Sequence, residues 1–269
     1  MLDNRNEAEY WNQVAKRMAG KFHLDELSGE HKRNTHLGLL ARWAELTSNT
    51  TILKTDLFEE ALGPDHFLFH LAKLSSNVVG IDISSEIVSG ARERSRQRGS
   101  DLGQYICCDV RQLPFDSDSF DLVISNSTLD HFSHESDIIA ALHELKRVLR
   151  PSGILIVTMD NKGNLSEPFF RLWNSLGLAP YFTGKTYSIG ELRHVLESIG
   201  FRVEDATAII HSPRFLTVRI VRLLHRLNAK RFDPMIRKGL AFLDKLEKRR
   251  TRYLTGLYVA VKAVKCERS

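Results

Sequence analysis

The chain has 269 residues, 42% hydrophobic and 26% charged, with 38 Lys or Arg against 33 Asp or Glu. That balance excludes a disordered or low-complexity chain, and the length allows one large or two small domains with a full core. Three cysteines, two of them adjacent at Cys107 and Cys108, exclude a disulfide framework and point to a reducing compartment. The polar start MLDNRNEAEYWNQ does not read as a signal peptide, and no apolar run approaches the ~18 residues of a membrane span. A cytoplasmic location is the expectation. The charge is uneven. Residues 214–252 hold thirteen Lys or Arg against Asp233, Asp244 and Glu247, a local net of +10 that leaves the remainder at −5. A general nucleic-acid binder would spread its basic face over the whole fold.

In chain order, the first 46 residues read as helix, with Tyr10, Trp11, Val14, Leu39 and Trp43 as apolar punctuation. From Thr50, short β-branched runs alternate with helical ones. The strands are TILKT (51–55), NVVGIDI (77–83), QYICCDV (104–110), FDLVISN (120–126) and GILIVTM (153–159). Between them lie helical patterns over 65–74, 84–99 and 136–149. Ser84-Ser85-Glu86 caps the second of these helices, and Pro151-Ser152-Gly153 reads as the turn into the fifth strand. A capped helix over 188–200, a sixth strand over 201–211, two or three basic amphipathic helices and a seventh strand over 254–264 complete the chain. This alternation predicts an α/β fold: a doubly wound, mostly parallel sheet covered on both faces. The expected division is a helical cap (1–49), a core (50–213), a basic helical insertion (214–252) and the core's final strand and tail (253–269).

In such a sheet, ligands bind beyond the C-terminal strand ends. Asp82, followed by Ile83, stands after the second strand, where a carboxylate accepts two hydrogen bonds from ribose hydroxyls; the plainer alternative is a helix-start acid favoured by the dipole. Asp109 and Val110 stand after the third. The carboxylate could accept an adenine amino group and the Val110 N–H could meet a ring nitrogen, or Asp109 is a turn residue. After the fourth strand come Asn126, Asp130 and His131, a polar tip where a reacting centre would lie. His131 beside Asp130 is the candidate base if the acceptor is a hydroxyl.

The stretches VVGIDISSEIVSGAR (78–92), CCDVRQLPFDSDSFDLVISNSTLDHF (107–132) and ELKRVLRPSGILIVT (144–158) resemble the class I S-adenosylmethionine-dependent methyltransferases, particularly the broad small-molecule group. The similarity covers roughly 50–211 plus the final strand, and its blocks fall in the family's order. It implies a seven-stranded sheet with a reversed last strand, S-adenosylmethionine as cofactor, Asp82 on the ribose and Asp109 on the adenine. One departure stands out. The family's first loop is an acid followed by a glycine-rich turn, whereas here LKTDLFEEALG (53–63) has no glycine before Gly63, and Lys54 and Asp56 stand at the acid and first glycine. Either Asp56 or Glu59 holds the cofactor's ammonium in a remodelled loop, with Lys54 or Glu59 fixing the orientation of Asp56, or cofactor binding has weakened or been lost. The polar strand end Lys54-Thr55-Asp56 favours the remodelled loop.

The expectation is therefore methyl transfer to a small-molecule or lipid-like acceptor. The N-terminal helices and the segment around Phe169, Phe170, Trp173 and Tyr181 would form a lid, and 214–252 would make peripheral membrane contact. On a helical wheel, Arg219, Arg222, Arg226 and Lys230 share one side and Leu216, Ile220, Leu223, Leu224 and Leu227 the adjoining one. The alternatives are a non-catalytic binding module on the same fold and a nucleic-acid methyltransferase. The second is weakened by NSTL (126–129), which lacks the NPPY-like tetrapeptide of amino-group nucleic-acid enzymes. Trp11, Trp43 and Trp173 are further candidates for an acceptor pocket. Cys107 and Cys108 read as packed strand residues, and His66 and His70 as part of a core-facing helix without a third metal ligand.

Overall fold

The computed structural model describes residues 4–20, 25–99, 103–179, 181–212, 214–226 and 230–266. Two helices, α1 (Asn4–Met18) and α2 (Glu26–Trp43), precede β1 (Thr51–Thr55). There follow α3 (Phe58–Leu62), α4 (Phe67–Leu74), β2 (Asn77–Asp82), α5 (Ser85–Gln97), β3 (Gln104–Cys107) and β4 (Phe120–Asn126). After β4 come α6 (Glu135–Val148), β5 (Leu149–Asp160), α7 (Glu167–Ser175), α8 (Ile189–Ser198) and β6 (Phe201–Ile209). The chain ends with α9 (Arg214–Arg226), α10 (Asp233–Leu243), α11 (Arg252–Thr255) and β7 (Tyr258–Lys265).

The strands form one seven-stranded sheet in the order β3-β2-β1-β4-β5-β7-β6. β7 runs antiparallel to both neighbours, and the other pairs are parallel. Strand order reverses between β1 and β4, so the two chains diverge there and leave a crevice above their C-terminal ends. Alternation along each strand splits the core in two. Ile52, Leu122, Ile124 and Ile156 meet α1 to α5 on one face. Leu53, Val123, Leu155 and Val157 meet α6 and α8 on the other.

Local chemistry sets the ends of the elements. Ser84 Oγ accepts the N–H of Ile87 at the start of α5, and Ser188 and Glu191 form a reciprocal capping box on α8. Gly80 lies within β2, and a Cβ there would sit 2.5 Å from Leu68 and 2.6 Å from Leu57. Its bare backbone lets both side chains close over the strand. Pro151-Ser152-Gly153 is not a turn. It lies inside β5, at a register shift against β4, and Ser152 takes φ +61°. A bulge accommodates a proline that has no N–H to give the ladder. The last strand begins at Tyr258, because Arg252–Thr255 is helical. Cys107 is exposed rather than packed, since β3 is an edge strand; Cys108 is half-buried, and burial pushes its thiol up to about 12. Among the described residues no helix is long and apolar enough to cross a membrane.

Candidate functional site

A cleft that opens to solvent lies above the C-terminal ends of β1, β2, β3 and β4. Of the residues expected from sequence, Asp56, Glu59, Asp82, Ile83, Asp109, Val110 and His131 line it. Lys54, Asn126 and Asp130 do not.

Lys54 is buried behind the first loop. Its ammonium donates to the carbonyl oxygens of Thr55 (3.4 Å) and Asp56 and to Glu60 Oε2 (3.2 Å), while Glu60 Oε1 accepts the Leu68 N–H at 2.8 Å. Burial alone would lower the Lys54 pKa, but the charges of Glu60 and Asp56 outweigh it and the net shift is upward. Lys54 is thus spent on fixing the loop. Asp56 takes φ +66°, a conformation that favours glycine, and its Oδ1 accepts the Phe58 N–H at 2.7 Å. An acid that caps its own turn thus holds a backbone conformation that usually calls for glycine. Burial raises the Asp56 carboxyl, and Lys54 opposes the rise.

Asp82 joins β2 to that loop. Its Oδ2 accepts the Leu57 N–H and its Oδ1 the Ser84 N–H, both at 2.9 Å. Burial, and then the charge of Asp56, pushes its pKa up to about 7. Asp109 is held by Arg111, whose Nε lies 3.0 Å from both carboxylate oxygens. The same guanidinium meets Glu7 at 2.6 Å and Asp137 at 3.2 Å, and it lies over the Phe132 ring.

On the reacting side, Asp130 is fully buried as a brace. Its Oδ2 accepts from Ser127 Oγ at 2.7 Å and from the Asp160 N–H at 2.9 Å. Asn126 is likewise buried below the cleft. His131 Nδ1 lies 2.9 Å from the Phe182 carbonyl. A carbonyl only accepts, so Nδ1 carries the proton and Nε2 is left as the basic nitrogen of the neutral ring. The ring packs edge-on against Trp11 (4.8 Å) and Tyr181 (5.6 Å), and Phe58 closes the same cluster.

Several lining residues carried no sequence signal. Lys32 reaches the cleft from α2 and meets Glu59 at 2.9 Å, and Tyr10 Oη accepts the Phe182 N–H at 2.7 Å. Both sit on the N-terminal helices, whose apolar punctuation does not say which side chains reach the cleft. Of the expected lid, Trp11 and Tyr181 line the cleft, whereas Phe169, Phe170 and Trp173 do not; Trp43 is buried against Asp205. His66 Nε2 faces the Arg98 guanidinium at 2.7 Å, and burial together with Arg98 pushes its pKa down to about 3.

The lining suits S-adenosylmethionine. Asp82 keeps an acceptor lone pair on each oxygen beyond the two N–H groups it receives, and Ile83, Ile87, Val110 and Phe132 supply apolar walls. Asp56 and Glu59 beside Lys32 match an amino-acid moiety that bears both charges. Two mutually repelling carboxylates, Asp56 and Asp82, are relieved by a cationic ligand.

Residues 58–157 match the family described as a methyltransferase domain. A probable S-adenosylmethionine-dependent methyltransferase of Mycolicibacterium smegmatis is 26% identical over 161 residues, 58% of this chain and 55% of that protein. A malonyl-[acyl-carrier protein] O-methyltransferase of Yersinia pestis is 25% identical over 185 residues, 68% of this chain and 64% of its own. The chain thus spans less than two thirds of the length of either relative. Among solved structures, the [4+2]-cyclase SpnF superposes with a TM-score of 0.61 at 20% identity, covering 98% of this chain and 97% of that one. Phosphoethanolamine N-methyltransferase 2 of Haemonchus contortus, in complex with S-adenosyl-L-methionine, gives 0.59 at 21% identity over 87% of this chain and 53% of its own. At these identities the likeness is one of fold.

Proposed function

We propose that this chain, which carries a class I S-adenosylmethionine-dependent methyltransferase domain, transfers a methyl group to a small-molecule or lipid-like acceptor. The observation that carries the reading is Asp82: a carboxylate at the end of β2, tied to the first loop and facing the cleft. In this assignment Asp82 holds the ribose hydroxyls, Ile83 and Val110 flank the adenine, and Asp109 and the Val110 N–H meet its edge. Asp56 and Glu59 take the ammonium and Lys32 the carboxylate. When bound, S-adenosylmethionine supplies a sulfonium methyl that needs only in-line alignment with a nucleophile and exclusion of water.

The chain's own residues do the rest. Lys54 and Glu60 hold the loop, Trp11, Phe58 and Tyr181 shield the mouth, and His131 Nε2 takes the proton of a hydroxyl acceptor. Asp130, braced beneath Ser127, sets the turn that presents His131. The Yersinia relative acts on a carrier-bound malonyl group, which is compatible with an acceptor of this kind. Peripheral membrane contact through 214–252 belongs to the same reading, with Arg219, Ile220, Arg222 and Leu223 all exposed on α9 while Val218 and Val221 face inward. Residues 227–229 lie outside the described residues, the side chains of Leu216 and Arg226 are not described, and Lys230 falls beyond α9.

The substituted loop keeps a second reading open, a binding module on this fold without transfer activity. Calorimetry with S-adenosylhomocysteine, followed by methyl transfer from radiolabelled cofactor, separates the two. Saturable binding that Asp82→Ala weakens by about 30- to 1000-fold supports the cofactor assignment. Absence of binding by the wild type overturns it.

A further inference from the structure

The helix α7 (EPFFRLWNS) buries none of its residues. Phe169 is 51% exposed and Leu172 58%, with Leu165 at 76% just before the helix and Leu176 at 62% just after it. Its one acid, Glu167, is already paired with Arg171. The N–H of Leu165 donates to the Leu254 carbonyl at 2.9 Å, which adds the exposed Leu254 of α11 to the same apolar surface. One turn ahead of Leu254, Lys248, Arg249 and Arg250 are exposed and make no ion pair among the described residues. On the other side the chain runs from exposed Leu178 to Tyr181 and Phe182, which line the cleft and anchor His131. Exposed apolar side chains thus recur from Leu165 to Leu178, and Tyr181 and Phe182 follow at the cleft mouth.

We propose that α7, with Leu165, Leu176 and Leu254, inserts into the surface of an anionic phospholipid bilayer while Lys248, Arg249 and Arg250 meet its headgroups. A nine-residue helix is about 13 Å long, too short to supply the ~800 Å² per partner of a standard protein interface. A bilayer asks only for apolar side chains at interfacial depth and cations beside them, and both are present, with the one acid of α7 already paired. This places the contact on α7 and the end of the basic segment, next to the route by which an amphiphilic acceptor would enter. Only that last point rests on the lipid-like acceptor reading.

The test is sedimentation of the full chain with phosphatidylglycerol vesicles and with phosphatidylcholine vesicles, together with quenching of Trp173 fluorescence by brominated lipid. Trp173 lies on α7, and Trp173→Phe corrects for Trp11 and Trp43. The expected result is binding to the anionic vesicles at least tenfold tighter than to the neutral ones, with Trp173 quenched. Phe169→Asp with Leu172→Asp, and separately Arg249→Glu with Arg250→Glu, should each lower it at least tenfold while thermal melting stays unchanged. Equal binding to both vesicles, no binding, an unquenched Trp173, or full binding by the aspartate variant would each overturn the proposal. So would an α7-dependent complex with an acidic acyl-carrier protein in place of vesicles. Calorimetry with S-adenosylhomocysteine on the same variants keeps failure of the cofactor assignment distinct from failure of this one.

Discussion

The Asp82 carboxylate accepts the main-chain N–H of Leu57 at 2.9 Å, so the acid at the end of β2 and the loop at the end of β1 are set by one hydrogen bond. Asp56, immediately before Leu57, takes the positive φ and presents a second carboxylate to the same cleft. Glycine would give this loop room without charge. Here Asp56 takes that conformation, and with Glu59 it makes this end of the cleft acidic.

That pairing makes the site sensitive to pH. The folded pKa of Asp82, about 7, lies above its ordinary value of about 3.9, so its contribution to stability is complete at low pH and lost as pH rises through 7. Melting temperature of the ligand-free protein should fall between about pH 4 and 7 and level off above that, and Asp82→Asn should flatten the curve. Affinity for S-adenosylhomocysteine should move the other way, weakening below about pH 7 as the carboxylate that accepts the hydroxyls is protonated. Parallel melting and calorimetric series check both signs. Affinity independent of pH would remove Asp82 from the ribose.

The ion pair of Lys54 and Glu60 is almost fully shielded from water. Removing one partner strands the other, at a cost of roughly 3–5 kcal/mol. Lys54→Met should show this loss in urea unfolding, while Lys54→Met with Glu60→Leu should recover part of it. If the single variant unfolds like the wild type, Lys54 is not what holds the loop.

The fold was legible because buried parallel strands are short β-branched runs between capped helices, and Ser84, Ser188 and Glu191 mark starts that the structure retains. The acids at the strand ends were legible for the same reason, since they follow the runs directly. Lys54 was legible as a departure with an orienting role, but its partner Glu60 was not, because that residue lies on the next helix, out of register with any strand pattern. Lys32 and Tyr10 come from helices packed over the sheet, and only tertiary packing selects the faces that reach the cleft. For α9 the wheel separated basic from apolar residues, but Val218 and Val221 took the inner face and left Ile220 and Leu223 outside.

Gly80 permits the close approach of Leu57 and Leu68 to β2. Gly80→Ala should cost about 1–3 kcal/mol by overpacking and should lower cofactor affinity by shifting Leu57 away from Asp82. Denaturant unfolding and calorimetry on one preparation test the coupling. A stability loss with unchanged affinity would mean that the loop adjusts independently of the strand.

His131 is oriented by its Nδ1 proton on the Phe182 carbonyl, and two substitutions separate anchoring from proton transfer. Asparagine retains an N–H donor for that carbonyl and has no basic nitrogen; alanine has neither. With labelled cofactor and a panel of hydroxylated amphiphiles, a general base predicts that both variants lose about 10²- to 10⁴-fold in turnover. Near-wild-type turnover in His131→Asn would leave the ring with a positioning role only.

Arg111 ties the N-terminal helix to the cleft. One guanidinium, nearly buried, serves Asp109, Glu7 and Asp137, and its charge is what allows three carboxylates to share that corner. Burial acts to raise Glu7, and Arg111 is the main influence opposing it. Arg111→Lys keeps one positive charge but cannot reach three acids with a planar fork, so α1 should detach although the core stays folded. Hydrogen exchange over residues 7–18 should quicken, and cofactor affinity should fall as Asp109 loses its orientation and Trp11 leaves the cleft mouth. Arg111→Met should do the same and also destabilise the chain by roughly 3–5 kcal/mol, because no charge remains to offset the acids. Unchanged exchange in α1 in both variants would show that its apolar face, through Val14 and Met18, is enough to hold it without the ion cluster.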